Sequence, residues 1–358
     1  MTTYALCGGG TAGHITPLIA VAEELELLDP QASFVVVGTR SGREREILPS
    51  HLQNMFAVPK LPFPRRIGRY ALLFPFRWIA TVISALGQLR ARRADVVVGF
   101  GGYTAAPVYL AAWLAKIPLV IHEANALPGM ANKLGAKLTN NVAVCFPGTP
   151  LPRAQVVGMP MRRSVRSVSA VSVSEARKHF GLKARTPVLL VTGGSTGAQS
   201  LNRTIEAVAS ECVEAGWQVL HLRGKDNDAP QGLPDGFVSL GYTDRMDLAL
   251  RAASLVVSRA GAATVSEIQL TGVPAVFIPY HVGNGEQEHN ARATINAGAA
   301  VIVANKDFTP EWVRASLLPL MADKKKLSEM ATSMARLGVA DAAMSVAQMA
   351  RHAVQEGS

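Results

Sequence analysis

Two glycine-rich turns have the composition of anion-binding sites. Gly9-Gly10-Thr11-Ala12-Gly13 and Gly193-Gly194-Ser195-Thr196-Gly197 each follow an apolar segment typical of a strand, and each precedes a helical pattern. Backbone N–H groups at the start of a helix have no partner within the helix, and together with the helix dipole they favour anions. The two turns therefore predict binding of a phosphate or diphosphate group. Tight turns that hold no ligand are the alternative.

The first turn also fits a dinucleotide fingerprint. Gly8, Gly10 and Gly13 have the spacing G-x-G-x-x-G after a strand. After the next strand, Thr39 and Arg40 stand where a nicotinamide enzyme would need an acidic residue for the ribose. An arginine there suits a 2′-phosphate, so NADP stays open from this motif. The chain has no G-x-x-x-x-G-K-[ST] motif, which excludes a P-loop NTPase.

His14 follows the first turn directly and is a candidate general base. It should lie at the N-terminus of the first helix, where the positive end of the dipole lowers the pKa of an imidazole. The neutral ring can then accept a proton. A capping or packing histidine is the alternative.

The segment from Arg259 to Glu267 combines small residues with one carboxylate. The small residues allow a ligand to approach the backbone, and Glu267 should lie in the helix that follows. A carboxylate near a phosphate site is better suited to accept ribose hydroxyls than to contact the phosphate. A helix carboxylate that complements the dipole is the alternative.

One acidic pattern resembles a metal site. Asp226-Asn227-Asp228 has the D-x-D spacing that holds a metal on nucleotide sugars in another transferase fold, but the residues around it, 224–232, favour a solvated loop. No cluster of His, Cys and Asp suggests another site, so the sequence predicts no metal.

Short apolar runs that alternate with helical patterns must position these residues. Continuous β-branched runs are typical of parallel strands covered on both faces, as in 34–38, 96–99, 119–121, 188–191 and 275–278. The segments 98–102 and 257–261 form a second matching pair, each before a helix. We therefore predict an α/β protein of two doubly wound, Rossmann-like halves. Their ligands should lie at the carboxyl ends of the strands, in a cleft between facing domains.

The 358 residues suit two domains. We predict an N-terminal domain over 1–161 and a C-terminal domain over 162–337. The last helical segment, 338–358, should pack back on the first domain.

The longest apolar stretch runs from Tyr70 to Leu89 and should form a helix that covers the sheet, since Ile79, Val82, Ile83, Leu86 and Leu89 recur at helical spacing. A transmembrane span is the less favoured interpretation.

The net charge of +10 is unevenly distributed. No Asp or Glu occurs from Ile47 to Ala94, whereas eight basic residues fall there: Lys60, Arg65, Arg66, Arg69, Arg77, Arg90, Arg92 and Arg93. Such a patch suits an anionic membrane surface or nucleic acid, but no nucleic-acid recognition motif accompanies it, so we predict no nucleic-acid partner.

The three scattered cysteines favour a reducing compartment, and the first residues do not resemble a signal peptide, so we expect a cytoplasmic location.

Six segments in a fixed order resemble the bacterial MurG-type N-acetylglucosaminyltransferases. They are Gly9 to His14, Gly101-Gly102-Tyr103, His122-Glu123-Ala124-Asn125, Gly193 to Ala198, Arg259 to Glu267, and Gly285 to Ala291. The resemblance covers essentially the whole chain. It implies the GT-B fold and inverting, metal-independent transfer of N-acetylglucosamine from its UDP derivative. The acceptor would be the 4-hydroxyl of the muramyl sugar of lipid I, giving lipid II for peptidoglycan.

The resemblance also implies roles for individual residues. His14 would be the general base for the acceptor hydroxyl. Glu267 would hold the ribose, Thr243 would contact the uracil side and Gln287 the sugar hydroxyls. The remaining donor-binding residues would be Thr11, Ala12, Gly13, Asn125, Arg162 and Ser195, with Ala262, Ala263, Thr264, Val265 and Ser266 lining the nucleotide. The chain departs from the family pattern at Ala12, Ala124, Met159 and the loop 281–287.

A lipid-linked acceptor implies a peripheral protein on the cytoplasmic face of the cell membrane. The predicted membrane face combines basic and apolar residues: Arg65, Arg66, Arg69, Leu73 and Phe76. Other proteins of cell-wall synthesis are possible partners. Three alternatives stay open at this point: a sugar-nucleotide epimerase, a transferase with a soluble acceptor, and a non-enzymatic nucleotide-sugar binding module.

Overall fold

The apolar runs form two sheets in which every strand pair is parallel. The computed structural model describes residues 1–9, 12–39, 48–59, 61, 62, 64, 68–225, 227, 228, 230–280 and 285–357. The first sheet has the order β3-β2-β1-β4-β5-β6-β7. Its strands are β1 (Thr3–Cys7), β2 (Ser33–Thr39), β3 (Met55–Val58), β4 (Val96–Gly99), β5 (Leu119–Glu123), β6 (Asn141–Val144) and β7 (Ala154–Val156). The order reverses between β1 and β4, and such a switch point is where doubly wound sheets bind ligands.

The second sheet repeats this arrangement with six strands in the order β10-β9-β8-β11-β12-β13. Its strands are β8 (Val188–Thr192), β9 (Gln218–Leu222), β10 (Phe237–Leu240), β11 (Leu255–Ser258), β12 (Ala275–Phe277) and β13 (Ala300–Ile302). The switch point falls between β8 and β11. Both glycine-rich turns therefore leave a strand that borders a switch point.

Helices connect and cover the strands. Those of the first half are α1 (Ala12–Leu28), α2 (Arg69–Ala91), α3 (Ala105–Leu114) and α4 (Met130–Leu138). The rest are α5 (Arg163–Arg166), α6 (Val173–His179), α7 (Gln199–Ala207), α8 (Ala209–Glu214), α9 (Met246–Ala252), α10 (Ala262–Thr271), α11 (Glu286–Asn296), α12 (Pro310–Trp312), α13 (Leu318–Ala322), α14 (Lys324–Ala335) and α15 (Ala342–Gly357), with a π-helical turn at Val313–Leu317 and 3₁₀ turns at Ser50–Leu52 and Val168–Ala170.

Strand residues alternate between two apolar cores in the first half. Ala5 and Cys7 of β1 face the core that contains residues of α2, α3 and α4, whereas Tyr4 and Leu6 face the core built with α1 and α15. Because both faces are covered, most residues of these strands are apolar, and His122 and Glu123 at the end of β5 are buried polar exceptions.

The chain divides into two units. The first comprises Met1–Arg162 and Ala340–Ser358, and the second comprises Arg163–Val339. The predicted boundaries at 161 and 338 lie one and two residues before these. Helix α15 packs in the first unit against α1, β4 and β5, and its Val346, Ala347, Ala350 and Ala353 are buried in that core.

Helix α2 presents two apolar stripes, of which one is exposed. Val82 and Leu89 are buried in the core on the sheet as predicted, and Leu86 packs against it partly buried. Ile79 and Ile83, by contrast, are 54% and 63% exposed. They differ from the prediction because they lie outside the narrow stripe that faces the core. By length and composition this helix could cross a membrane, and 17% of its most apolar 18-residue window is buried.

Candidate functional site

His14 lies in the first turn of α1, directly after the β1 turn. Its imidazole hydrogen-bonds the backbone carbonyl of Gly9. The turn after β4 packs against the same place, because a Cβ built on Gly102 would lie 2.6 Å from the Gly9 oxygen and 3.5 Å from His14 Nδ1. The two strands that flank the switch point thus bring their following turns together around this ring.

The neutral form of His14 is favoured by its surroundings. Burial lowers the pKa of the imidazole below its ordinary value, and the hydrogen bond to Gly9 opposes that shift in part. The predicted cause was the helix dipole; the main cause here is desolvation, since the ring is packed between the two turns. The ring nitrogen that donates to the Gly9 carbonyl carries the proton of the neutral ring, so the other ring nitrogen is the proton acceptor.

Gly102 is required by this packing. Its φ of 90° favours glycine, and a side chain would press on the Gly9 carbonyl that orients His14. We expect Gly102→Ala to lower the free energy of unfolding by about 1–3 kcal/mol, as backbone strain of this kind does, and to lower turnover as well. Thermal unfolding and steady-state kinetics measure both effects.

The matched control is Gly87→Ala in α2. A Cβ at Gly87 meets nothing within 4 Å, and alanine is favoured over glycine in a helix. This variant should be as stable as the parent or more stable. If Gly102→Ala behaves like Gly87→Ala, the packing of the β4 turn against His14 is not important.

Asn125 lies in the loop that follows β5, and a buried carboxylate shapes this loop. Glu123 is 4% exposed; its Oε1 accepts from the Asn125 N–H at 2.9 Å, and its Oε2 accepts from the Gly129 N–H at 3.0 Å. Desolvation raises the pKa of Glu123, while the hydrogen bonds that it accepts lower it. The loop is therefore fixed at both ends by one side chain.

The second glycine-rich turn is held by the connection between β9 and β10. Gly197 has a φ of 76°, and a Cβ there would overlap the Arg223 carbonyl. Asn227 Nδ2 donates to Thr196 O at 3.2 Å and to Arg223 O at 2.9 Å. Ser195 is exposed at the tip of the turn. The Ser195 side chain is therefore exposed to solvent on a turn whose backbone is held in place by these contacts.

Glu267 lies on α10, which begins at Ala262 directly after the β11 turn. Burial raises the pKa of its carboxyl to about 7, and the negative charge of Asp247 adds to the shift. Asp247 is 6% exposed and is bound by Arg245 through Nε–Oδ1 and Nη2–Oδ2 at 3.0 and 2.8 Å. Thr243 Oγ1 accepts the Arg245 N–H at 3.0 Å. Arg245 therefore contacts both Thr243 and Asp247, and the charge of Asp247 acts on the predicted residue Glu267.

Gln287 lies at the start of α11 and joins two loops. Its Oε1 accepts from the Tyr280 N–H at 2.9 Å and from the Ala260 N–H at 3.2 Å. Because the oxygen is held by backbone, the amide is oriented with its NH₂ group as the donor end.

Arg162 is the last residue of the first unit. It is partly buried, and its Nε has no hydrogen-bond partner among the residues that the structure describes. The preceding backbone is held by His122, whose Nε2 lies 2.9 Å from the Gly158 carbonyl and whose pKa is lowered to about 4 by burial. Met159 is 3% exposed and packs in the interior.

Both halves of the chain match models of one enzyme family. Residues 4–144 match the glycosyltransferase family 28 N-terminal domain, and residues 188–346 match its C-terminal domain. A protein of Clavibacter sepedonicus named UDP-N-acetylglucosamine–N-acetylmuramyl-(pentapeptide) pyrophosphoryl-undecaprenol N-acetylglucosamine transferase is 48% identical over 360 residues, which covers 99% of this chain and 97% of that protein. The chain belongs to this MurG family. It is therefore a glycosyltransferase, and the predicted family is confirmed.

Solved structures agree with this assignment. The crystal structure of MurG from Acinetobacter baumannii superposes with a TM-score of 0.80 and 28% identity, covering 98% of this chain and 100% of that one. A UDP-N-acetylglucosamine 2-epimerase from Neisseria meningitidis reaches a TM-score of 0.66 with 14% identity over 98% of this chain and 99% of its own. The epimerase shares the fold alone, so the epimerase alternative is not favoured.

The structure groups the predicted MurG-family site residues by unit. His14, Gly13 and Asn125 follow β1 and β5 of the first unit, whereas Ser195, Thr243, Glu267 and Gln287 follow strands of the second. Thr11, the side chain of Ala12, Arg65, Arg66 and Asp226 lie outside the described residues. Among the residues that are described, no group of three or more His, Cys, Asp and Glu has the arrangement of a metal site.

Three polar residues around these sites were not predicted from the sequence. Asn132 binds Glu123, Asp247 raises the pKa of Glu267, and Asn227 braces the second glycine-rich turn. The sequence signal for Asn227 was present in the D-x-D pattern but was interpreted only as a loop. Asn132 and Asp247 lie within short helical patterns, where a single polar residue is usually solvated.

Proposed function

We propose that this MurG-family protein transfers N-acetylglucosamine from UDP-N-acetylglucosamine to the 4-hydroxyl of the muramyl sugar of lipid I, producing lipid II. The observation that carries the proposal is the 48% identity to a transferase of that name over nearly the full length of both chains. A soluble acceptor or a simple binding module would leave this identity unexplained.

In the first unit, His14 acts as the general base. The ring nitrogen that does not bond Gly9 takes the proton from the acceptor hydroxyl while that oxygen forms a bond to C1 of the donor sugar. The bond between C1 and the diphosphate oxygen breaks, and the electron pair leaves with UDP. Attack opposite the leaving group inverts the configuration at C1. The depressed pKa of His14 supports this role, because the ring is neutral at physiological pH.

In the second unit, the two turns at the switch point bind the nucleotide. Ser195 and the backbone of its turn contact the diphosphate, and the first N–H groups of α10, 262–264, add further donors. Glu267 accepts the ribose hydroxyls, Thr243 contacts the uracil side, and the NH₂ of Gln287 donates to the sugar hydroxyls. Val265 and Ser266, which are 0% and 5% exposed, lie behind these residues and support them from the interior. The first unit contributes 11–13 and Asn125, and Arg162 contacts the phosphates.

The decisive experiment uses purified protein, radiolabelled UDP-N-acetylglucosamine and lipid I in detergent. Label should appear in the lipid fraction in amounts equal to the UDP released. Epimerised nucleotide sugar in place of labelled lipid would refute the proposal.

We further propose that transfer needs no metal ion. EDTA at millimolar concentration should leave the rate within about twofold of its value in buffer, because diphosphate charge is met by backbone N–H groups and Arg162. Loss of the rate with EDTA and its recovery with manganese would instead favour a metal at Asp226 and Asp228.

We also propose that α2 attaches the protein peripherally to the cytoplasmic face of the cell membrane. The exposed stripe of α2 consists of Leu72, Phe76, Ile79 and Ile83, which are 54–75% exposed, and Leu73 lies beside it at 44%. Arg69 and Arg77 are exposed on the same helix. An apolar stripe with flanking cations is typical of a helix that lies in the membrane interface. Arg65 and Arg66, which precede this helix, would add to the positive charge.

The double variant Leu72→Ser and Phe76→Ser tests this attachment. Since 1.4 kcal/mol corresponds to a tenfold change and each buried apolar side chain contributes about 1.5–3 kcal/mol, we expect at least about tenfold weaker co-sedimentation with vesicles that contain anionic lipid. Binding of the parent should also decrease with added salt.

The control is the double variant Leu27→Ser and Leu114→Ser, which removes two exposed leucines, 56% and 47% exposed, from α1 and α3 of the same unit. It should bind vesicles like the parent. Equal binding by both double variants would place the membrane face elsewhere.

A further inference from the structure

Tyr109 joins two loops of the first unit through its hydroxyl group. The side chain is fully buried on α3. Its oxygen accepts from the Gly101 N–H at 3.1 Å and donates to Asn132 Oδ1 at 2.9 Å. Gly101 belongs to the β4 turn, and Asn132 belongs to the first turn of α4, which follows the loop that carries Asn125.

Hydrogen bonds continue from Asn132 to that loop. Asn132 Nδ2 donates to Glu123 Oε2 at 2.9 Å and to the His122 carbonyl at 3.1 Å. Glu123 in turn accepts the N–H groups of Asn125 and Gly129. A continuous buried chain therefore runs from the turn beside His14 to Asn125.

Two glycines make room for the tyrosine ring. A Cβ at Gly99 would overlap the ring, and a Cβ at Gly135 would lie 2.7 Å from it. The ring is thus held between β4 and α4, and its hydroxyl has one available position. Burial keeps the pKa of Tyr109 well above its ordinary value, so the hydroxyl keeps its proton at any working pH.

We propose that Tyr109 is a positioning residue for sugar transfer, which fixes the Gly101–Gly102 turn against His14 and the Asn125 loop relative to each other. The inference rests on the proposed roles of His14 and Asn125. The residue acts through the hydrogen bonds of one oxygen atom. Without that oxygen, the Gly101 N–H and the side-chain Oδ1 of Asn132 each lose a buried hydrogen-bond partner, and both loops become more mobile.

The test compares two variants that each remove one buried tyrosine hydroxyl. Tyr109→Phe keeps the ring in its place, and Tyr4→Phe is the control, because Tyr4 is 1% exposed in β1 and its hydroxyl bonds Thr2. Both should fold, and their melting temperatures should decrease by similar amounts. We expect kcat to decrease about ten- to a hundredfold in Tyr109→Phe, as misplacement of reacting groups does, and to stay within twofold in Tyr4→Phe.

A double-variant cycle separates positioning from loss of stability. Asn132→Ala interrupts the same chain, so Tyr109→Phe should add little to its loss of kcat, whereas Tyr4→Phe should combine additively with either. Equal kcat in Tyr109→Phe and Tyr4→Phe at matched stability would overturn the inference.

Hydrogen exchange tests the coupling without activity. In Tyr109→Phe the amides of both 99–102 and 123–129 should exchange faster than in Tyr4→Phe. Faster exchange in 99–102 alone would contradict a coupled pair of loops. If the parent protein transferred no sugar, the proposed function would fail while this measurement would still decide on the coupling.

Discussion

His14→Ala should lower kcat by about 10²–10⁴-fold, the range that a positioned general base contributes. The affinity for UDP-N-acetylglucosamine should change little, because the proposed contacts with the nucleotide come from other residues. In the parent, the acid limb of the kcat–pH profile should have its midpoint below pH 6.5. The reason is that the pKa of His14 is lowered by burial, and the neutral ring is the active form. Steady-state kinetics across pH 5–8 and calorimetry of donor binding measure these effects.

The control for this variant is His352→Ala, which removes an exposed histidine from α15. It should keep the parent kcat and pH profile. A His14→Ala variant with kcat within about threefold of the parent would leave His14 as a packing residue.

Donor binding should release a proton through Glu267. The carboxyl has a pKa of about 7 in the free protein, and acceptance of two ribose hydroxyls favours its ionised form. Affinity for UDP-N-acetylglucosamine should therefore decrease roughly tenfold from pH 8 to pH 6, because an added proton competes with the ligand. The intact nucleotide sugar is the suitable ligand, since its diphosphate has no terminal phosphate that titrates near neutral pH.

The variants Glu267→Ala and Glu267→Gln should bind the donor about ten- to a hundredfold more weakly at pH 8, as expected when hydrogen bonds to a charged group worth ~1.5–3 kcal/mol are lost. In both, the pH dependence and the proton release should disappear. Glu329→Gln, at an exposed position of α14, is the matched control. Parent-like affinity in Glu267→Gln at both pH values would favour the helix-dipole role instead.

The raised pKa of the Glu267 carboxyl also makes the free energy of unfolding depend on pH. Its pKa in the folded protein, about 7, exceeds the ordinary 4.5. The protonated form is thus favoured by folding, and its contribution to stability is complete below about pH 4.5 and is lost as the pH increases through 7.

Local patterns were sufficient to predict the fold. The β-branched runs and the glycine-rich turns after them specify parallel strands and switch points, because both depend on neighbouring residues only. They also placed His14 and Glu267 in helices that follow such turns. The residues that set the protonation of these groups were not predictable in this way. Asp247 lies twenty residues before Glu267, and their proximity depends on how α9 and α10 pack.

Tyr109 illustrates the same limit. In the sequence it belongs to the apolar pattern of α3 and would be assigned to the core, which is where its ring lies. Its hydroxyl contacts the turn after β4 and the first turn of α4. The spacing of residues within α3 does not predict these contacts, because they depend on how three elements pack together. Ile79 and Ile83 of α2 show the converse, since an apolar repeat alone does not say which stripe faces the sheet.

The return of α15 to the first unit has a consequence for synthesis on the ribosome. Val346, Ala347 and Ala350 are fully buried against residues near the N-terminus. The first unit to be translated is therefore missing part of its core until α15 has emerged. The second unit, Arg163–Val339, is continuous in the chain and has its own core to fold around while translation proceeds. The unit translated first is thus completed last, and a nascent chain that stops before residue 340 exposes the apolar face of α1 that α15 would cover.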